Sequence, residues 1–281
     1  MSSLQTTMMP TDSSLPVGIF DSGVGGLSVL SHIQAALPNE HLLYVADSGF
    51  APYGDKTEAE VIARSLAITD FLRAQGIKAL VIACNTATAI AAEVIRNTYP
   101  DLAVIGIEPG LKPAAAVSKT HVVGVLATYG TLESAKYTAL QKRITAETDV
   151  LFVSQACIGL ADQIEKGELS SAATAQMIAQ YVMPLIQKNA DIYVLGCTHY
   201  PFVKNLIAQT IEQLSQKPFH IIDTGEAVAR QLSRVLTSNN LTTSATSNGK
   251  IEAFTTASVT TLENAFKRLL NTTVNVMKIS A

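Results

Sequence analysis

Short apolar runs alternate along the chain with longer stretches in which apolar positions recur every three or four residues. The runs predict strands buried on both faces, and the longer stretches predict helices. The sharpest run, Leu80-Val81-Ile82-Ala83, leads straight into Cys84-Asn85-Thr86 and an alanine-rich helical pattern up to 98. A near copy, Ile192-Tyr193-Val194-Leu195, leads into Gly196-Cys197-Thr198-His199. In open α/β sheets the ligand crevice lies outside the carboxyl ends of the strands, so both cysteines stand where chemistry is expected.

In chain order, the pattern predicts strands over 17–20, 42–46, 80–83 and 103–107. Helices are predicted between them, one stopped by Pro38 and one opened by a Thr57/Glu60 capping box and closed at Gly76. The loop 47–56 carries turn residues throughout. A second series follows, with strands over 122–127, 150–154, 192–195 and 220–222. Its helices include one capped by Thr131, one over 159–166, one over 171–187 with a kink at Pro184, and one with Pro201 in its first turn. A helix over 226–236 leads to a Ser-, Thr- and Asn-rich stretch, 237–250, which reads as a mobile surface loop. A strand over 251–255 and a helix opened by a Thr260/Glu263 box complete the pattern.

This alternation predicts an α/β protein with doubly wound parallel sheets. Gly18-Ile19-Phe20-Asp21-Ser22-Gly23 parallels Gly124-Val125-Leu126-Ala127-Thr128-Tyr129, as the Cys84 run parallels the Cys197 run. The expected architecture is two similar domains related by a pseudo-twofold axis, with the active site between them. Residues 16–108 with 222–281 form the first and 109–221 the second; 1–15, polar and rich in Ser and Thr, form a disordered leader.

Composition narrows the function. The 281 residues carry a net charge of −3 and only 15% charged side chains, with no polybasic run. That disfavours binding to nucleic acid or to an anionic membrane. No apolar stretch is long enough for a bilayer, and three cysteines without regular spacing suit reduced thiols in a cytoplasm. The turn Asp21-Ser22-Gly23-Val24-Gly25-Gly26 resembles a phosphate-binding loop, but it lacks the dinucleotide spacing, and Asp47 is the only carboxylate placed for a ribose. Asp21 would also repel a pyrophosphate.

Two thiols facing a shared cleft suit proton transfer at a stereocentre, one removing an α-hydrogen and the other delivering a proton to the opposite face. A thiol is near enough to neutrality to act as acid or base, provided a helix N-terminus or a cation favours its thiolate. Asp21 and His199 are candidate proton partners. Ser22, Asn85, Thr86 and Thr198 offer donors to a carboxylate, and the Tyr53-Gly54 turn offers amides to a second one. Plainer readings stand beside these: buried free cysteine is common in cores, Asp21 could cap a helix, and His199 could be structural. Cys157 reads as core. Cys197 and His199 alone make no metal site, and no metal or cofactor motif is present. Rival readings are a racemase for another acidic amino acid, a two-lobed binding protein and a one-cysteine decarboxylase or isomerase.

The motifs Phe20-Asp21-Ser22-Gly23-Val24-Gly25-Gly26, Pro52-Tyr53-Gly54-Asp55-Lys56, Ala83-Cys84-Asn85-Thr86-Ala87 and Gly196-Cys197-Thr198-His199-Tyr200-Pro201 resemble those of glutamate racemases, within the aspartate/glutamate racemase family. They stand in that family's order, and His199 replaces the acidic residue usual in aspartate racemases. The resemblance implies a cofactor-independent enzyme that interconverts L- and D-glutamate for peptidoglycan, working as a homodimer. It implies that Cys84, assisted by Asp21, deprotonates D-glutamate, and that Cys197, assisted by His199 and Glu165, deprotonates L-glutamate. Asp21, Ser22, Tyr53, Gly54, Asn85, Thr86, Thr198 and His199 are implied to hold substrate. Ile158 stands where the family usually carries proline.

Overall fold

The computed structural model describes residues 12–281, so residues 1–11 of the expected leader lie outside the described residues. Among the described residues, ten strands fall into two sheets in which every pairing is parallel.

The first sheet is built on β1 (Val17–Asp21), β2 (Leu42–Ala46), β3 (Ala79–Ile82) and β4 (Ala103–Gly106). The chain returns late to extend it with β9 (Ile251–Thr255) and β10 (Val276–Lys278), giving the order β10-β9-β2-β1-β3-β4. The second contains β5 (Val122–Ala127), β6 (Leu151–Ala156), β7 (Ile192–Gly196) and β8 (His220–Ile222), in the order β6-β5-β7-β8. The shared arrangement β2-β1-β3-β4 and β6-β5-β7-β8 is the internal repeat in three dimensions.

Alternation along each central strand feeds two cores. From β1 and β3, Val17, Ile19, Ala79 and Val81 point to one face, against Leu27 and Leu30 of α1 (Leu27–Ala36) and Leu232 of α10 (Gly225–Ser238). Phe20, Leu80 and Ile82 point to the other, against Leu72 of α2 (Glu58–Ala74) and Ile95 of α3 (Asn85–Thr98). In the second sheet Val123, Val125 and Val194 oppose Leu126, Tyr193 and Leu195 in the same way. Burial on both faces explains why these strands read as unbroken apolar runs.

Several boundaries differ from expectation. The Thr57/Glu60 capping box opens α2 as predicted. Thr128 rather than Thr131 caps α5 (Tyr129–Glu133), its hydroxyl accepting from the Thr131 amide. Ser258, not Thr260, caps α11 (Val259–Leu270), because the helix starts two residues earlier than the Thr260 box requires. Helix α4 (Leu111–Val117) and strand β10 are additional; each is too short to show a period. Helices α6 (Ala135–Thr148), α7 (Leu160–Glu165) and α8 (Ala172–Gln187) follow, and α8 continues through Pro184. Pro201 lies in a 3₁₀ turn, Tyr200–Val203, ahead of α9 (Lys204–Leu214).

The stretch expected to be a mobile loop is tied down. Leu241 is buried, the Thr243 amide donates to Glu40, and Asn39 donates to the Ala245 carbonyl. Glu40 also pairs at 2.6 Å with Lys78, and both side chains are essentially inaccessible.

Candidate active site

The carboxyl ends of the two sheets face one another, and the residues just beyond them close a small cavity. Its walls include Ser22, Tyr53, Gly54, Cys84, Asn85, Thr86, Glu165, Cys197, Thr198 and His199. The space left is about 20 Å³, roughly one water molecule's worth.

Cys84 follows β3 and caps α3, its sulfur accepting the Ala87 amide at 3.4 Å and donating to Ser22 Oγ at 3.8 Å. Asp21 ends the adjacent strand β1, fully buried, with Oδ2 accepting from the Gly23 amide and Oδ1 from Thr198 Oγ1. Burial pushes the Asp21 carboxyl up, against the positive field of His199 and the amides of Gly26 and Gly23. Burial, followed by the charge of Asp21, likewise pushes the Cys84 thiol well up, although the Ala87 amide and Ser22 oppose the rise. The helix N-terminus therefore acts on Cys84 as anticipated but does not outweigh desolvation, and the thiol form prevails.

On the opposite wall Cys197 follows β7. Its sulfur lies 3.7 Å from His199 Nδ1, and His199 Nε2 lies 2.7 Å from Glu165 Oε1. Burial alone would lower the imidazole, but its hydrogen bonds to Cys197 and Glu165 and their charges raise it well above its ordinary value. Glu165 moves the other way. Burial would raise it, yet the His199 bond and charge, the Val24 amide and Arg268 together hold it below the usual carboxylate range. His199 thus bridges Cys197 and Glu165, and both partners favour its imidazolium form. Ile158, in the place of a proline, is exposed and leaves Glu165 within reach of His199.

The halves meet closely here. Glu165 Oε1 accepts the Val24 amide at 2.7 Å, and Ser28 Oγ donates to the Thr198 carbonyl. A β-carbon on Gly23 or Gly25 would collide with Glu165 or with His199, so only glycine permits this approach. Asn85, also buried, has both amide atoms without a partner among the described residues, although buried polar groups are nearly always paired.

Every site residue named from the sequence except Asp21 lines this cavity, and Asp21 touches it through Thr198. Thr128 was missed: its hydroxyl lies 2.9 Å from Thr86 Oγ1 and it lines the same space. The signal was present, since the internal repeat aligns Thr128 with Ser22. Asp47 does not line the cavity but holds Arg64 and Tyr53. Cys157 packs in the second core. Among the described residues, no group of three His, Cys, Asp or Glu side chains is arranged to hold a metal.

A model of the Asp/Glu/hydantoin racemase family matches residues 18–232. The chain belongs to that family. Within it, curated proteins about 50% identical to this chain are glutamate racemases. The protein of that name from Ectopseudomonas mendocina is 53% identical over 229 residues, 82% of this chain and 85% of that one. A glutamate racemase from Bacillus anthracis superposes with a TM-score of 0.84 at 34% identity, covering 95% of this chain and 97% of the other. The Francisella tularensis glutamate racemase, solved in complex with D-glutamate, gives 0.82 at 29% identity, covering 95% and 98%. This racemase is accordingly an amino-acid isomerase with two parallel-sheet α/β domains. Among the described residues, no helix is long and apolar enough to cross a membrane.

Proposed function

We propose that this glutamate racemase inverts the α-carbon with two thiols and no cofactor. The observation that carries the reading is that Cys84 and Cys197, at corresponding strand ends of the two sheets, line one cavity, each beside its own ionisable partner.

With L-glutamate bound, Cys197 as thiolate takes the α-hydrogen while the His199 imidazolium, held by Glu165, stabilises the charged sulfur. The neutral Cys84 delivers its proton to the opposite face, and Asp21 assists that transfer. D-Glutamate reverses the roles. The pairing of Cys197 with an imidazole, and of Cys84 with a buried carboxyl, supports an acid and a base being present together. The unpaired Asn85 amide, with Ser22, Thr86 and Thr198, receives the α-amino and α-carboxyl groups, and the main chain of Tyr53 and Gly54 receives the side-chain carboxylate. The Francisella relative's D-glutamate complex supports the substrate. By family resemblance the product is D-glutamate for peptidoglycan, made in the cytoplasm by a homodimer.

The test is racemisation in deuterated water without added cofactor, following α-deuterium and optical rotation. Cys84→Ala and Cys197→Ala are each expected to lose racemisation by about 10³-fold or more, with residual exchange confined to one enantiomer. Racemisation retained in either variant would falsify the two-base reading.

A further inference from the structure

We propose that Arg64, on α2, is a positioning residue that holds the loop 48–56 in the shape presenting Tyr53 and Gly54 to substrate; this rests on the reading above, in which that loop binds a carboxylate. Arg64 does not line the active-site cavity, yet it touches three residues outside its own helix. Its Nε and Nη2 grip the Asp47 carboxylate as a fork, at 3.0 and 2.9 Å. Its guanidinium carbon lies 3.6 Å from the centroid of the Phe50 ring, inside the loop itself. Its Nη1 donates at 2.7 Å to the main-chain oxygen of Ala281.

Asp47 passes the grip onward. It is fully buried, and besides Arg64 its oxygens accept the Tyr53 hydroxyl at 2.6 Å and the Thr256 hydroxyl at 2.8 Å. Thr256 Oγ1 accepts in turn from the Gly49 amide, at the start of the same loop. The carboxylate that looked from sequence like a ribose ligand is therefore wholly occupied with holding the loop. So is the Tyr53 hydroxyl: burial and the adjacent Asp47 charge push that phenol far up. Tyr53 offers the cleft its ring and main chain, while its hydroxyl serves as an anchor.

The Tyr53 ring packs in the core, but the loop also borders open space. Phe50, Tyr53 and Lys56 of the loop and Val61 and Arg64 of α2 surround a cavity of about 180 Å³. The loop has room to drop into that space once the polar clamp is released. A planar guanidinium suits the task because one group makes the fork to Asp47 and stacks on Phe50; lysine supplies only a point charge.

Two readouts on Arg64→Met and Arg64→Lys test this. In the ligand-free full chain, amide hydrogen exchange over 48–56 is expected to quicken about tenfold or more in Arg64→Met, with α3 unchanged. In steady state, KM for glutamate is expected to rise about tenfold equally in both directions, with kcat within about threefold, as for loss of uniform binding. Arg64→Lys should fall between. Tyr53→Phe should raise KM likewise, and adding it to Arg64→Met should raise KM little further, because both act through one anchor. A merely structural arginine would lower the active fraction and kcat while leaving KM unmoved. Unchanged loop exchange, unchanged KM or additive effects would each overturn the proposal. If the wild-type chain fails to racemise glutamate, the functional reading falls, and loop exchange still decides whether Arg64 holds the loop.

Discussion

Asp21 shows how a single residue's environment carries both a liability and a role. Its carboxyl sits at the buried end of a central strand, raised above the ordinary 3.8 because lost hydration outweighs His199 and two amides. A group raised in the folded state contributes stability that is complete below its unfolded value and is lost as pH rises through the folded one. Asp21→Asn stays neutral throughout. Its melting temperature should therefore gain on that of the native protein as pH rises above about 4, levelling off beyond the raised folded value. Thermal melts of both proteins at pH 4 and 8 check this, and an equal difference at the two values counts against it. Activity should fall while stability climbs, the usual trade at a site kept under strain. Mirror-image substrates are equally stable, so any such variant must change kcat/KM by the same factor in both directions. For that reason, isotope exchange rather than rate ratios assigns each thiol to its enantiomer.

At the scale of elements, the chain's local chemistry was legible where burial and capping agreed. Strand β3 buries all its residues, so its pattern could be read only one way. The capping box on α2 has both of its bonds, Thr57 accepting the Glu60 amide and Glu60 accepting the Thr57 amide. Thr57→Ala should cost about 1 kcal/mol. In a protein of this size that is a fall in melting temperature of roughly 3 °C. Little change in glutamate turnover should accompany it, since the cap is exposed and the Arg64 clamp lies further along the helix. Elsewhere caps misled, because the run Thr255-Thr256-Ala257-Ser258-Val259-Thr260-Thr261 offers several side chains of cap type. Which of them caps depends on where β9 ends, and that is decided by pairing with β2.

At the scale of the whole molecule, two parallel sheets meet at their carboxyl ends, and a separate device braces the opposite end of the first. Glu40, before β2, and Lys78, before β3, pair out of reach of solvent, while Lys78 also donates to the Ser13 carbonyl and Glu40 accepts from Thr243. Four remote segments thus converge on one ion pair. Lys78→Met should destabilise by about 3–5 kcal/mol because it strands a buried carboxylate. Adding Glu40→Leu should recover most of that loss. Urea unfolding of the single and double variants measures it, and a double variant no more stable than the single would contradict it. The same remote convergence explains the tethered 239–250 stretch, whose polar composition alone reads as a free loop.

What the amino-acid order determined by itself was the alternation of strands and helices, the duplicated half and the two thiols at strand ends. Those properties are periodic or local, so burial and capping imprint them on neighbouring residues. Tertiary structure alone decided that Asp47 turns to Arg64 and Tyr53, that Glu165 reaches His199, and that burial raises Cys84 while its partners raise His199. Each of these depends on distances between residues far apart in the chain, and on the water that folding removes from around them.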